Sequence, residues 1–290
     1  MSDSLPMPIP APLTAAQRIQ IVNLVRRAAR AEILPRFRTL GLADIDEKSG
    51  PLDVVTAADR DAEKMIVRGL LSMFPNAHIV GEETSTAEKI AQLADAEMGF
   101  AIDPVDGTWN FANGLATFGV ILAMTRFGSP VFGLIYDPVM DEVMVADDIS
   151  QTQVIAPRRP ARAVSVSKGG PIESLSGFAS FYNLSKDKQP EMGALMTRFR
   201  RLYTLRCSAH EFRMVAQGKV DFVLSSTLTP WDHAAGVLLV KRAGGHSAML
   251  DGSEYRADQR KGHLLCASDA ATWGRIRDAM SFLLDTPNDA

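Results

Sequence analysis

Ile102-Asp103-Pro104-Val105-Asp106-Gly107-Thr108 directly continues the apolar run from Gly99 to Ile102, and its reading decides how the chain is organised. Gly99 to Ile102 is patterned as a buried strand. Pro104 fixes its own φ and moves Asp103 away from the helical region, while Asp106-Gly107 is a turn dipeptide. The chain is therefore expected to leave the strand and fold back at once, bringing the carboxylates of Asp103 and Asp106 into one small volume. Two carboxylates held that close do not both stay ionised without a cation between them. An all-oxygen set selects Mg²⁺, Ca²⁺ or Mn²⁺ over zinc or copper.

The same residue types build ordinary surface turns, and the chain carries its own contrast. Asp137-Pro138-Val139-Met140-Asp141 repeats the Asp-Pro-Val opening without Gly-Thr. It lies between two alternating apolar runs and reads as a hairpin loop without chemistry. Two other segments add weight to the first turn. Ala77-His78-Ile79-Val80 reads as a short strand, and Gly81-Glu82-Glu83-Thr84 sets carboxylates at its exit. Pro230-Trp231-Asp232-His233-Ala234-Ala235-Gly236 opens a helix that ends at Gly244-Gly245 in the manner of a C-cap, with Asp232 in its first turn. Taken singly, Asp232 is an N-cap candidate and the Glu pair a solvated loop; all three segments occurring together calls for more.

The chain has 290 residues, enough for one large or two closely packed domains. Its 46% apolar content suffices for a substantial core. A net charge of −3 with dispersed basic residues leaves no footprint for nucleic acid. Cys207 and Cys266 are too few for a disulfide framework, which fits a reducing compartment and a cytoplasmic location. The start, with Pro6, Pro8, Pro10 and Pro12, has neither the basic nor the apolar region of a signal peptide and reads as a disordered lead-in over 1–12. No apolar stretch approaches the ~18 residues of a membrane span.

Thr14 and Gln17 predict a capping box, opening a helix that stops near Pro35. A second helix, from about Ala57 to Phe74, buries Ala58, Ala62, Met65, Ile66, Leu70 and Met73 and is stopped by Pro75. Asp59 near its start reads as a favourable helix-dipole charge rather than a metal ligand. Strands dominate to about Ser167, with a helix near Ser85 to Glu97; later strands alternate with helices, which predicts layered α/β packing. The break near Gln151 to Ala163 divides an α+β half (13–155) from an α/β half (156–290). Ser208-Ala209-His210-Glu211 reads as a capping box. His233 reads as a helix-surface residue.

Gly81-Glu82-Glu83, Asp103-Pro104-Val105-Asp106-Gly107-Thr108 and Trp231-Asp232-His233-Ala234-Ala235-Gly236 closely resemble, in this order, the signature motifs of the inositol monophosphatase family of lithium-sensitive, Mg²⁺-dependent phosphatases. Asp53-Val54-Val55-Thr56-Ala57-Ala58-Asp59, preceded by Lys48, looks like the family's N-terminal motif. The resemblance spans roughly Lys48 to Gly245. It implies the layered αβαβα sandwich of the inositol monophosphatase and fructose-1,6-bisphosphatase type, a homodimer, and two or three Mg²⁺ ions per site for which Mn²⁺ substitutes. It assigns Glu82, Asp103, the Val105 carbonyl and the Thr108 hydroxyl to one metal, and Asp103, Asp106 and Asp232 to a second. Catalytic roles fall to Glu82, Asp103 and Thr108, with Glu82 and Thr108 orienting the attacking water. Gly107 and Thr108 would hold phosphate, and Asp106, Ser208, Ser225 and Asp232 the rest of the substrate.

Lys48 is a mobile positive charge near the metals or a solvated loop lysine, and the role of Asp53 stays open. In animal members a Glu seven residues before the Trp-Asp aspartate holds inositol hydroxyls; here that position is Ser225, which supplies no charge. The expected activity is hydrolysis of a small polyol or sugar phosphate, with inositol 1-phosphate foremost. Histidinol phosphate, fructose 1,6-bisphosphate and 3'-phosphoadenosine 5'-phosphate are the alternatives within the enzyme class. A metal- or phosphate-sensing homologue without activity is the alternative outside it.

Overall fold

The structure is a computed structural model that describes residues 13–41, 45–50 and 53–284; the expected lead-in over 1–12 lies outside these, as does the side chain of Lys48. The first helix, α1 (Ala15–Ala28), starts at the expected capping box, with the Gln17 N–H donating to Thr14 Oγ1 and the Thr14 N–H to Gln17 Oε1. It loosens into a π turn (Ala29–Ile33) and a 3₁₀ turn (Leu34–Arg36) where Pro35 withholds its N–H. A ribbon of β1 (Ile45–Gly50) and β2 (Asp53–Thr56) leads into α2 (Ala57–Met73). Of the residues expected inside α2, Ala58, Ala62, Ile66 and Leu70 are buried. Met65 and Met73 are only half-buried, and two acids, Asp59 and Glu63, take core positions.

A seven-stranded sheet follows: β3 (His78–Gly81), β4 (Gly99–Asp106), β5 (Gly119–Arg126), β6 (Ser129–Asp137), β7 (Glu142–Asp147), β8 (Gln153–Ile155) and β9 (Arg162–Ala163), neighbours in that order. Only β3 and β4 pair in parallel. Helix α3 (Ala87–Ala91) links them, and α4 (Thr108–Ala112) follows β4. The second sheet has the order β11-β10-β12-β14-β13, from β10 (Ser176–Ala179), β11 (Arg201–Tyr203), β12 (Phe222–Ser225), β13 (His246–Met249) and β14 (Leu264–Ala267). Around it lie α5 (Gln189–Met196), α6 (Ser208–Ala216), α7 (Pro230–Arg242) and α8 (Ala270–Ala279).

Alternation along the strands produces the layers. Phe100, Ile102, Leu122 and Leu134 face α1 and α2 in one core, while Ala101, Ile121, Ala123 and Ile135 face α6 and α7 in another. The second sheet closes that middle core with Phe178, Val223 and Cys266 and turns Phe222, Leu224 and Leu265 toward α5 and α8. The result is the expected αβαβα sandwich. Helix α7 is its middle wall, packed on both sheets. It approaches closely because of missing methyls: a Cβ on Gly133 of β6 would lie 2.9 Å from the Ala235 carbonyl oxygen, and one on Gly236 would collide with the Phe212 ring. No helix among the described residues is long and apolar enough to cross a membrane.

Candidate metal centre

Three strand and helix ends converge on one acidic site. Strand β4 does not turn at Asp103, as the proline suggested; it runs on to Asp106 through an irregular register between Asp103 and Asp106. The proline is tolerated at this irregularity because the ladder is broken there and needs no N–H. The reversal comes at Gly107, whose φ of +87° is left-handed and whose Cβ would lie 2.8 Å from the Thr117 carbonyl oxygen, so backbone and space both demand glycine. Asp103 braces the bulge by accepting the Val105 N–H at 3.0 Å.

Asp103, Asp106 and Asp232 offer carboxylate oxygens that all lie within 4.8 Å of one another. Asp103 and Asp106 are buried, Asp232 half-buried. Burial pushes Asp103 well above the usual carboxylate range, and Glu82, Asp106, Asp232 and Asp59 add repulsion. Asp106 is pushed up to about 8, again first by burial and then by Asp232. Protons or cations must relieve such a group, and its donors are hard oxygens, which suit Mg²⁺. Glu82 belongs to this field through its repulsion of Asp103, and its N–H donates to the Ile102 carbonyl at 3.1 Å. Its turn is shaped by Glu63, whose carboxylate accepts the Glu83 N–H and the Thr84 hydroxyl and fills the space a Cβ on Gly81 would need.

Thr108 is buried, and its hydroxyl lies 3.0 Å from Asp59 Oδ1 and 2.9 Å from the Val105 carbonyl oxygen. Asp59 does stand in the first turn of α2, as expected, but it is more than a dipole charge. It is buried, accepts the Thr56 N–H through its other oxygen, and is raised to about 6, chiefly by burial. Sequence offered a usable signal: Asp59 and Glu63 sit one helical turn apart, beside the apolar stripe of α2, where an acid costs free energy unless it has partners.

The capping box expected at Ser208 does not form. Cys207 is the N-cap without a side-chain bond, Ser208 is already helical, and Glu211 accepts the Leu205 N–H instead. The helix start is taken by Asp106, which accepts the Ser208 and Ala209 N–H groups at 3.1 and 2.6 Å and the Cys207 thiol at 3.0 Å. Asp106 and Asp232 hold Cys207 and α7 to the same centre from two sides. At the start of α7 the Thr229 hydroxyl donates to Asp232, and His233 is buried with Nδ1 2.7 Å from the Thr229 carbonyl oxygen, not on the surface as expected. Ser225 ends β12 half-buried. The Asp137 loop is a hairpin, yet Asp137 is buried against the Arg213 guanidinium at 2.8 Å and so is no surface residue.

Comparison with known proteins follows the geometry. Residues 15–281 match the inositol monophosphatase family. A fructose-1,6-bisphosphatase/inositol-1-monophosphatase of Thermotoga maritima is 33% identical over 214 residues, 74% of this chain and 78% of that protein. An inositol-1-monophosphatase of Bacillus subtilis is 30% identical over 216 residues, 73% and 78% of the two chains. Nus factor SuhB of Escherichia coli is 28% identical over 257 residues, 83% and 92%. Among solved structures, inositol monophosphatase II of Staphylococcus aureus shares the fold with a TM-score of 0.78 at 18% identity, covering 96% of this chain and all of that one.

Proposed function

The chain belongs to the inositol monophosphatase family, whose members are phosphoric monoester hydrolases, and from that premise we propose that it hydrolyses a small polyol or sugar phosphate, inositol 1-phosphate first, with Mg²⁺ as its metal. The reading is carried by the Asp103, Asp106 and Asp232 oxygens gathered within 4.8 Å. In it, Glu82, Asp103, the Val105 carbonyl and Thr108 hold one ion, and Asp103, Asp106 and Asp232 a second. Such ions, when bound, neutralise phosphoryl charge and make water more acidic. The phosphate lies against Gly107 and Thr108, and Asp106, Asp232, Ser208 and Ser225 line the path of the leaving group. Lys48, in β1, adds positive charge near the metals.

The chain's own part in the reaction is to place a water and receive its proton. Asp59 accepts the Thr108 hydroxyl hydrogen, which leaves a Thr108 lone pair free to accept from the water, and Glu82 shares in orienting that water. Asp59, with an affinity for protons near pH 6, is suited to take the proton passed on through Thr108. A role without catalysis, as the name Nus factor suggests for the E. coli relative, would find no use for this hydrogen-bonded pair. A cytoplasmic homodimer completes the reading.

The test is phosphate release from a panel of polyol, sugar and nucleotide phosphates. Turnover is expected with Mg²⁺ or Mn²⁺, none after EDTA, and recovery when metal is returned. Full activity in chelator, or no turnover of any compound with Mg²⁺, would overturn the proposal.

A further inference from the structure

A cavity of about 430 Å³ lies along the C-terminal half of α7, toward the opposite end of that helix from Asp232, where the end of β7, the last turns of α7 and β13 with its following loop come together. Asp148, Lys241, Ser247, Glu254 and Tyr255 line it, with Leu238 among its apolar residues. Volumes of this order hold small organic molecules.

Its polar groups are uncommitted. Among the described residues five buried side-chain polar atoms lack a hydrogen-bond partner, and three of them belong to residues lining this one cavity: Asp148 Oδ1, Ser247 Oγ and the Tyr255 hydroxyl. Ser247 is 4% exposed and Tyr255 6%; Ser247 has the Cys266 thiol as its polar neighbour. A sealed polar atom without a partner costs free energy, and a folded chain seldom gathers three around one space. The charges are equally uncommitted. Among the described residues no ion pair ties up Asp148, Lys241 or Glu254, although they share the cavity. Arg242, which also lines it, donates its Nε–H to the Ser150 carbonyl at 2.7 Å.

Two carboxylates, one ammonium, two hydroxyls and an apolar residue around a small space suit a molecule that carries both charges and an apolar tail. We propose that this cavity binds a small zwitterion, an α-amino acid with an aliphatic side chain, whose ammonium meets Asp148 and Glu254 and whose carboxylate meets Lys241, with the Ser247 and Tyr255 hydroxyls completing the grip. A simple anion would face two carboxylates and a simple cation would face Lys241, so one sign alone is matched on one side and repelled on the other. The site goes beyond the phosphatase reading and does not rest on it, because it shares α7 with Asp232 but none of the residues of the acidic centre.

Calorimetry and thermal unfolding of the full chain in Mg²⁺ test it with leucine, valine and methionine. Each is compared with the amine that lacks its carboxylate and the acid that lacks its ammonium; for leucine these are isoamylamine and 4-methylpentanoate. At least one amino acid is expected to bind with a Kd of about 1 mM or tighter and to raise the thermal midpoint, and its two analogues to bind at least about tenfold more weakly. Asp148→Asn and Lys241→Gln should each weaken binding about tenfold. Tyr255→Phe should weaken it while leaving the midpoint of the ligand-free protein as high or higher, since it removes a hydroxyl without a partner; a structural hydroxyl would lower that midpoint. Asp103→Asn, in the metal centre, should leave binding unchanged. The proposal is overturned if none of the three amino acids binds at about 20 mM or if an analogue binds as tightly as its amino acid. Binding that survives both Asp148→Asn and Lys241→Gln, or that is lost in Asp103→Asn instead, overturns it equally.

Discussion

Two Asp-Pro-Val segments of this chain begin alike and end in opposite situations. Asp103 Oδ1 accepts the Val105 N–H at 3.0 Å, and Asp137 Oδ1 accepts the Val139 N–H, also at 3.0 Å. Both carboxylates are buried. The second oxygen makes the difference. Asp137 Oδ2 meets Arg213 at 2.8 Å, and the same guanidinium reaches Glu142 at 2.8 Å; the charges that raise Asp103 are all acids. One aspartate has its cation built in, and the other stands in a place prepared for a cation from outside. Backbone pattern alone therefore separates structural from chemical aspartates less well than the charge of what lies opposite.

The largest expected effect breaks the two apart. Asp103→Asn should lower kcat/KM at least about a thousandfold, since it removes a charge proposed to face both metals. In EDTA the same change should raise the thermal midpoint, because one repelling buried charge is gone. Asp137→Asn should do the reverse: stability falls by about 3 kcal/mol, as for one partner lost from a buried pair, while the folded protein keeps its rate within about tenfold. Urea unfolding and steady-state rates on both variants decide; equal loss of rate in the two would end the distinction.

Much of this was legible in sequence because it is local. The box at Thr14, the stop before Pro75, the hairpin at Asp137 and the left-handed need at Gly107 follow from neighbours in the chain. What was not legible depends on distant partners. Asp59 reads as a helix-dipole charge until Thr108, 49 residues on, is seen beside it. Cys207 reads as isolated, yet its thiol lies against Asp106, 101 residues away. Ser208 and Glu211 carry a local capping signature that fails because Asp106 takes the N–H groups first. A strong nonlocal acceptor outweighs a weak local one.

A smaller effect sharpens the same contrast through pH. Folded Asp106 keeps its proton up to about pH 8 and Glu211 up to about 7, chiefly through burial, whereas unfolded chains release theirs near pH 4. Between those values the folded state binds more protons, so metal-free stability falls as pH rises. Buried His210 and His233, held neutral by desolvation, act the other way only below about pH 6.5. In EDTA the thermal midpoint is expected to drop from pH 6.5 to 8, and Mg²⁺ to restore it most at pH 8. A flat profile in EDTA would mean that Asp103 and Asp106 are not strained by lack of a cation.

The smallest effect concerns the wall that carries no charge. Ser225→Glu should raise kcat/KM for inositol 1-phosphate over β-glycerophosphate by about tenfold, the worth of one charge-assisted hydrogen bond. No gain would assign ring recognition to other residues of the wall, with Ser208 the first to vary.

The close fit at Gly133 and Gly236 has a consequence far from any carboxylate. Asp232 rides on α7, whose height above the large sheet is gauged by the methyl absent at Gly133 and whose spacing from α6 by the one absent at Gly236. Those glycines work like the tolerance of a machined part: they do no chemistry, yet they decide whether separately made pieces meet. One added carbon at Gly133 would wedge the helix outward and carry Asp232 off its station, leaving every reactive group present and the trio out of alignment.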